Sequence, residues 1–385
     1  MERLQVLEPE DTPEQATWYD LILRGQSPSA RVGHNCLYLP PTEDDGKGKV
    51  IIVGGANPRG SFSDAYIVDL GKVKGDSHEW DIPDWENLLP RYEHASFLSS
   101  GNPGSVWVFG GAEQAGNRNC VQILRLETGT WKSPKVNGSP PSPRTFHTSS
   151  AAIGDDLYVF GGGDKGTEPV DDPQLHVFNS ATLTWNQPET SGKPPAPRHG
   201  HAMVAVGTKL FVHGGLSGDT FFQDMFCIDT NDMEWKKLKV KGDVPEGCAA
   251  HSAAACGKHI YIFGGMDSHG SVNSMYKFDT ENLSWTLLRF DSPMPPGRLD
   301  HSMCVIPWKV RSDPIESGEG AKQMNKDEDE SAVSETVSDK DGGDSSRIQE
   351  NGCKPQKSVQ LCLIFGGMDT AGEIYNDCVV TMLEQ

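Results

Sequence analysis

Residues 201–240 read HAMVAVGTKLFVHGGLSGDTFFQDMFCIDTNDMEWKKLKV. Four apolar runs stand out: HAMVAV, KLFVHGG, DMFCIDT and EWKKLKV. Gly-Thr, Leu-Ser-Gly-Asp and Asn-Asp separate them, and such residues favour turns. The runs are rich in β-branched and aromatic residues and too short for helices, so they predict four antiparallel strands. A single four-stranded sheet cannot bury both of its faces.

The same unit recurs along the chain. Six glycine doublets follow short apolar runs: Gly54-Gly55, Gly110-Gly111, Gly161-Gly162, Gly214-Gly215, Gly264-Gly265 and Gly366-Gly367. They are spaced by 56, 51, 53, 50 and 102 residues. Trp18, Trp80, Trp131, Trp185, Trp235 and Trp285 recur with a similar period. An Arg-x-x-His precedes most doublets: Arg31/His34, Arg91/His94, Arg144/His147, Arg198/His201 and Arg298/His301. The fifth copy keeps His251 but has Cys248 in place of arginine. Self-similarity near fifty residues, with four strands per period, predicts an all-β, six-bladed β-propeller. Repeats are expected at 31–88, 91–138, 144–192, 198–241, 248–290 and 298–382. The glycines would let a strand turn out of the crowded centre, and the tryptophans would wedge blade against blade.

No tryptophan follows Gly367, whereas one precedes the first doublet in the segment Thr17-Trp18-Tyr19-Asp20-Leu21-Ile22-Leu23. Residues 17–23 are therefore expected to supply the missing fourth strand of the last blade, pairing with 374–382 and closing the ring. The doubled last spacing reflects an acidic insert, residues 309–357, with almost no large apolar residues; it reads as a disordered loop. The insert carries −4 of the net charge of −20, so the ring itself is strongly acidic. That charge argues against nucleic acid and anionic membranes as primary partners and permits a basic one. Glycine, 42 of 385 residues, exceeds the usual ~7%, in keeping with many turns. No apolar run approaches the ~20 residues of a membrane span, and the opening residues lack the apolar core of a secretory signal. The nine cysteines form no C-x-x-C pair, so reduced and mostly buried thiols in a cytoplasmic protein are expected.

An apolar run, Gly-Gly, a variable stretch, an aliphatic or aromatic strand and then tryptophan, repeated six times, resembles the kelch repeat. The resemblance covers nearly the whole chain. The segments RYEHASF (91–97), NRNC (117–120), PRTFHTSSAAIG (143–154) and PGRLDHSMC (296–304), with the acidic insert, further resemble the Rab-effector branch of that family. The resemblance implies a non-enzymatic scaffold whose partner is a GTP-bound Rab GTPase. It also implies a role in vesicle transport from late endosomes to the trans-Golgi network, with peripheral recruitment to endosomal membranes. A propeller as such implies no particular task; an adaptor for a kinase, cytoskeletal or ligase partner is the alternative, and an enzyme with a site in the channel a lesser one.

No G-x-S-x-G, P-loop or H-E-x-x-H occurs, so neither catalysis nor a cofactor is expected. The repeated histidines read as structural, with no thiol or carboxylate at ligand spacing, and no metal site is expected. His213, in the aromatic position before a doublet, reads as a half-buried substitution. The arginines leave two readings open. Arg31, Arg91, Arg144, Arg198 and Arg298 could ring one mouth of the channel and grip a partner's carboxylate or phosphate, or each could be locked to carbonyls and aspartates of its own blade. Tyr92, Phe146, His199, Phe221 and Phe222 do not repeat in kind and are candidate contacts for a monomeric propeller's partner.

Overall fold

The computed structural model describes residues 3–41, 48–72, 77–145, 151–165, 168–310 and 358–384. Each blade is an antiparallel sheet running outward from the axis. Blade one comprises Asn35–Leu39, Lys49–Val53, Ala65–Asp69 and Trp80–Asp81; blade two Ala95–Ser99, Asn102–Phe109, Val121–Arg125 and Thr130–Lys132. Blade three comprises Ala151–Ile153, Asp156–Val159, His176–Asn179 and Thr184–Asn186; blade four Ala202–Val206, Lys209–His213, Met225–Asp229 and Glu234–Lys237. Blade five comprises Ser252–Cys256, His259–Phe263, Met275–Asp279 and Ser284–Leu287. Blade six takes Ser302–Lys309, Ser358–Phe365 and Cys378–Met382 from the far end of the chain and Trp18–Asp20 from the start. The six innermost strands touch in cyclic order, the last meeting the first, around a channel of about 390 Å³.

Ring closure is as the sequence predicts, over a shorter stretch. Trp18 pairs with Thr381, Tyr19 with Val380 and Asp20 with Val379, and the Leu21 amide donates to the Cys378 carbonyl at 2.8 Å. Of the acidic insert, Lys309 ends a strand and Val310 is buried against blade one; residues 311–357 lie outside the described residues.

The core is divided among six blade–blade interfaces. In each, the residue before a glycine doublet packs on the tryptophan of the next blade. Phe109 meets Trp185 at 4.7 Å between ring centroids, Phe160 meets Trp235 at 5.1 Å, His213 meets Trp285 at 5.0 Å, Phe263 meets Trp18 at 5.2 Å and Phe365 meets Trp80 at 5.6 Å. Val53 takes that place against Trp131. All six indoles are buried. Trp18 thus fills the same slot as its five counterparts, although 245 residues of sequence separate it from Phe263, its ring partner on blade five.

One feature goes beyond the four strands expected. The segment entering each blade from the one before bonds that blade's outer strand: Ser191–Gly192 on blade four and Lys241–Gly242 on blade five pair with it in parallel, and single bridges Arg24–Glu79, Glu86–Thr130 and Asn137–Thr184 serve blades one to three. On blade six the Asp291 amide donates to the Ala16 carbonyl at 2.8 Å, and Gln5–Val6 adds a further parallel pair to Tyr19–Asp20. These straps cover the outer sheet edges. At Gly138, Gly192 and Gly242 the backbone has positive φ, and a Cβ would collide with the carbonyl of Trp185, Trp235 or Trp285. Asn-Gly, Ser-Gly and Lys-Gly between blades were the available sequence signal.

Removing residues 1–24 strips the last blade of its outer strand, the Gln5–Val6 strand beside it and the Trp18 plug. Loss of one buried tryptophan alone costs about 3–5 kcal/mol. The truncated chain is expected to melt far below the full chain and to aggregate through the exposed edge of Cys378–Met382; differential scanning fluorimetry with size-exclusion chromatography checks this, and an unchanged melting temperature contradicts it.

Candidate interaction face and its arginine sockets

The connection entering each innermost strand and the hairpin joining the second and third strands lie on the same face of the wheel. The two are stitched together by bridges at the residue after the arginine position: Val32–Ala56, Tyr92–Ala112, Thr145–Gly163, His199–Leu216, Ala249–Met266 and Leu299–Met368. The hairpin strands are Ala56–Asn57 with Gly60–Ser61, Ala112–Glu113 with Gly116–Asn117, Gly163–Lys165 with Glu168–Pro169, Leu216–Ser217 with Thr220–Phe221, and Met266–Asp267 with Gly270–Ser271. The end of each first strand and the start of each second strand, Lys309 and Ser358 in blade six, lie on the opposite face.

The five arginines do not line an open mouth. Each is 0% exposed and is held within its own blade. Nη1 donates to the carbonyl of the first glycine of the doublet: Arg31 to Gly54 at 2.8 Å, Arg91 to Gly110 at 3.0 Å, Arg144 to Gly161 at 3.0 Å, Arg198 to Gly214 at 2.8 Å and Arg298 to Gly366 at 3.0 Å. Four also pair with an aspartate: Arg31 with Asp64 at 2.7 Å, Arg144 with Asp172 at 2.8 Å, Arg198 with Asp224 at 2.8 Å and Arg298 with Asp377 at 2.7 Å. Arg91 finds Gln122 Oε1 at 2.7 Å and Cys120 Sγ at 3.6 Å instead. Aromatic rings cover several guanidinium planes, Phe62 over Arg31 at 4.3 Å, Phe222 over Arg198 at 4.0 Å and Tyr375 over Arg298 at 4.5 Å. Of the two readings, the one in which Arg31, Arg91, Arg144, Arg198 and Arg298 grip a partner is therefore corrected: all five are fully buried and hydrogen-bonded within their own blades, Arg91 without a carboxylate. Burial pushes the Asp224 carboxyl up, but Arg198 and Lys237 outweigh it and hold the group below the usual aspartate range.

Of the unrepeated candidates, Tyr92 and His199 sit half-buried at the bridge positions, and Phe221 is half-buried in its hairpin. Phe222 serves as the plate over Arg198. Phe146 lies outside the described residues. The bridge position as a whole was missed in sequence. It reads Val32, Tyr92, Thr145, His199, Ala249 and Leu299, a different side chain in every blade on an invariant backbone. The signal was the residue directly after the repeated arginine.

The repeated histidines His34, His94, His201, His251 and His301 are buried beside the first glycine of the preceding blade. His34 shows the mode: its Nε2 bonds the Phe365 carbonyl at 3.1 Å across the closing interface. Burial, with Arg31 alongside, drives its pKa down to about 3, so the ring is neutral. Two expectations about this set need correction. His213 is 2% exposed rather than half-buried, because it fills the aromatic slot against Trp285. A thiol does join the histidines: Cys248 Sγ lies 3.5 Å from His251 Nδ1, and His213 Nδ1 lies 3.2 Å from His251 Nε2. One ligand-type atom from each of these three lies within 4.8 Å of the others, as is also true of Glu246, Asp267 and His269. In the first trio the atoms are turned on one another. Burial raises the Cys248 thiol to about 12 and, with Arg198 nearby, lowers His213 to about 4, so both are neutral.

The family model described as the KLHDC2/KLHL20/DRC7 Kelch-repeats domain matches residues 42–265 and 149–311. The chain belongs to the kelch-repeat family. Over its full length it is similar to proteins named Rab9 effector protein with kelch motifs. Identity is 64% with the Xenopus laevis protein (99% of both chains), 63% with that of Bos taurus and 59% with that of Homo sapiens (100% of both chains in each case).

Two outcomes follow. Arg198→Ala leaves Asp224 and the Gly214 carbonyl without their buried donor and is expected to lower stability by about 3 kcal/mol or more in chemical denaturation. A stable variant that has lost only partner binding contradicts the assignment. Asp300 has a positive φ of 53° at the axial end of blade six, its Oδ1 is buried, and burial raises its pKa to about 7. The folded state therefore holds this proton where the unfolded chain releases it. Stability from this group is greatest below about pH 4 and is lost as pH rises towards 7, by at most about 1.4 kcal/mol for each unit of displacement. Asp300→Asn should fall less than the parent between pH 5 and pH 8 in parallel melts; identical slopes contradict the account.

Proposed function

We propose that this propeller is a non-enzymatic effector of a Rab9-type GTPase, a rigid wheel that holds one variable face towards its GTP-bound partner. The carrying observation is similarity along the entire chain to proteins whose name states that role. The docking surface is the face of the second-to-third-strand hairpins, where six equivalent backbone positions carry six different side chains. Uniform scaffolding with non-uniform contacts is what recognition of one asymmetric partner requires. Tyr92, His199 and Phe221 are the central contacts, aromatic or amphipathic and half-buried before any partner arrives.

The protein works in the cytoplasm and reaches late-endosomal membranes through its GTPase, in transport towards the trans-Golgi network. No helix of the described residues is long and apolar enough to cross a membrane. With a net charge of −20, recruitment through a protein fits better than direct attraction to anionic lipid.

The test is co-precipitation with a panel of Rab GTPases in GDP- and GTP-loaded forms. Binding is expected to select the GTP form of a Rab9-type member. Tyr92→Ala with Phe221→Ala should weaken it about tenfold or more with little change in melting temperature, and deletion of residues 312–356, whose flanking strand ends Lys309 and Ser358 lie on the other face, should leave it intact. Nucleotide-independent binding, or loss on deleting the insert, contradicts the reading.

A further inference from the structure

Blade five carries the one arginine position without an arginine, and the socket is still there. Its boundaries follow from the hydrogen bonds that repeat in every blade. The Gly54 amide donates to the Asp64 carbonyl and the Gly264 amide to that of Ser274, so Ser274 stands where Asp64 does. The Phe62 amide donates to Gly55 and the Val272 amide to Gly265, so Val272 stands where Phe62 does. Tyr66 faces Ile52 across the sheet as Tyr276 faces Ile262. Arg31 is held by the carbonyls of Ser29 and Gly54, by Asp64, and by the rings of Phe62 and Tyr66. The counterparts of those five residues, Glu246, Gly264, Ser274, Val272 and Tyr276, all line a single cavity of about 180 Å³ beside Cys248. The cavity is the arginine socket of blade five. Replacing arginine by cysteine and aspartate by serine has removed both halves of the ion pair together and left the room that they fill elsewhere. Glu246 is exposed, so the cavity reaches the surface, and it does so on the hairpin face.

We propose that this socket receives an arginine side chain from a protein partner, which supplies in trans the guanidinium that the other five blades supply themselves. Three observations favour that occupant over another cation. The walls stand at the backbone positions that hold a planar guanidinium five times over in the same molecule, with the glycine carbonyl and the Tyr66-type ring retained. Two carboxylates, Glu246 and Asp267, line the cavity, and neither has a counterpart in the lining of the Arg31 socket, where Ser29 and Asn57 occupy the same positions. Finally, Arg91 is held without any directly bonded aspartate, on Gly110, Gln122 and Cys120, so serine in the aspartate position is no obstacle. A lysine would place a point charge where a flat five-donor group fits against the face of Tyr276. A free amino acid would bring its own α-carboxylate against Glu246 and Asp267, whereas a residue within a chain brings none. The acidic ring around the site draws basic surfaces towards it.

The probe is N-acetyl-L-arginine methylamide, titrated into the full chain and followed by calorimetry or amide chemical shifts. Saturable binding is expected, about tenfold tighter than for N-acetyl-L-lysine methylamide and tighter than for free L-arginine. The double variant Cys248→Arg with Ser274→Asp fills the socket with its own ion pair; it should melt higher than the parent and lose the probe. Glu246→Lys, at an exposed position, should lose the probe with an unchanged melting temperature, and it serves if the double variant does not fold. Equal response to the arginine and lysine probes, or full binding by either variant, overturns the proposal. Equal or tighter binding of free L-arginine overturns its source as a protein. No GTPase takes part in this titration, so its result is separate from that of the effector reading.

Discussion

The wheel depends on one backbone hydrogen bond made six times. The amide of the second glycine in each doublet donates to the carbonyl at the arginine position of the next blade: Gly55 to Arg91 at 2.9 Å, Gly111 to Arg144 at 3.0 Å, Gly162 to Arg198 at 3.0 Å, Gly215 to Cys248 at 2.8 Å, Gly265 to Arg298 at 2.8 Å and Gly367 to Arg31 at 3.0 Å. The last of these joins the end of the chain to its beginning. The bond explains why the doublet must be glycine. Gly55 has a φ of +100°, and a Cβ there would lie 2.9 Å from both His34 Cβ and the Val32 carbonyl. It also explains the spacing of Arg-x-x-His: the carbonyl and the imidazole three residues later close on the same pair of glycines. The arginine side chain acts separately, tying the doublet back to its own blade. Because the inter-blade bond uses only backbone, the fifth blade can carry Cys248 and still take its place in the ring.

The architecture was legible in sequence because it is periodic. Doublets, tryptophans and histidines recur at equivalent positions, and the unmatched Trp18 at one end and the unmatched third strand at the other leave a single way to complete the last blade. The role of the arginines was not legible. Their spacing places them at a blade edge but does not say which way the guanidinium turns, and the aspartates that decide it lie twenty-six to seventy-nine residues further on. The straps between blades escaped notice because a pair of residues such as Ser191–Gly192 is too short to read as a strand, although Gly138, Gly192 and Gly242 recur near the repeat spacing. Departures from the repeat carried more information than the repeat did. His213 and Cys248, two residues that break the pattern in consecutive blades, meet at one interface through His251, and Cys248 with Ser274 marks the socket.

A division of labour follows. Positions alike in every blade (the doublet, the tryptophan and the histidine), with the arginine buried in five of the six, hold the scaffold and leave little chemistry over. Positions that differ, at Tyr92, His199 and Phe221 and around Glu246, are the ones able to tell one partner from another. They share a face because antiparallel strands put the blade-to-blade links and the second-to-third hairpins at the same end. The aromatic slots between blades resist local distortion, so the spacing among these contacts is fixed before binding.

Amide hydrogen exchange at the second glycines tests the closed ring most directly. Gly55, Gly111, Gly162, Gly215, Gly265 and Gly367 are all expected to exchange only through global unfolding, with Gly367 protected as strongly as the other five. Rapid exchange at Gly367 alone would mean that the wheel stands open between its first and last blades, and the account would fail.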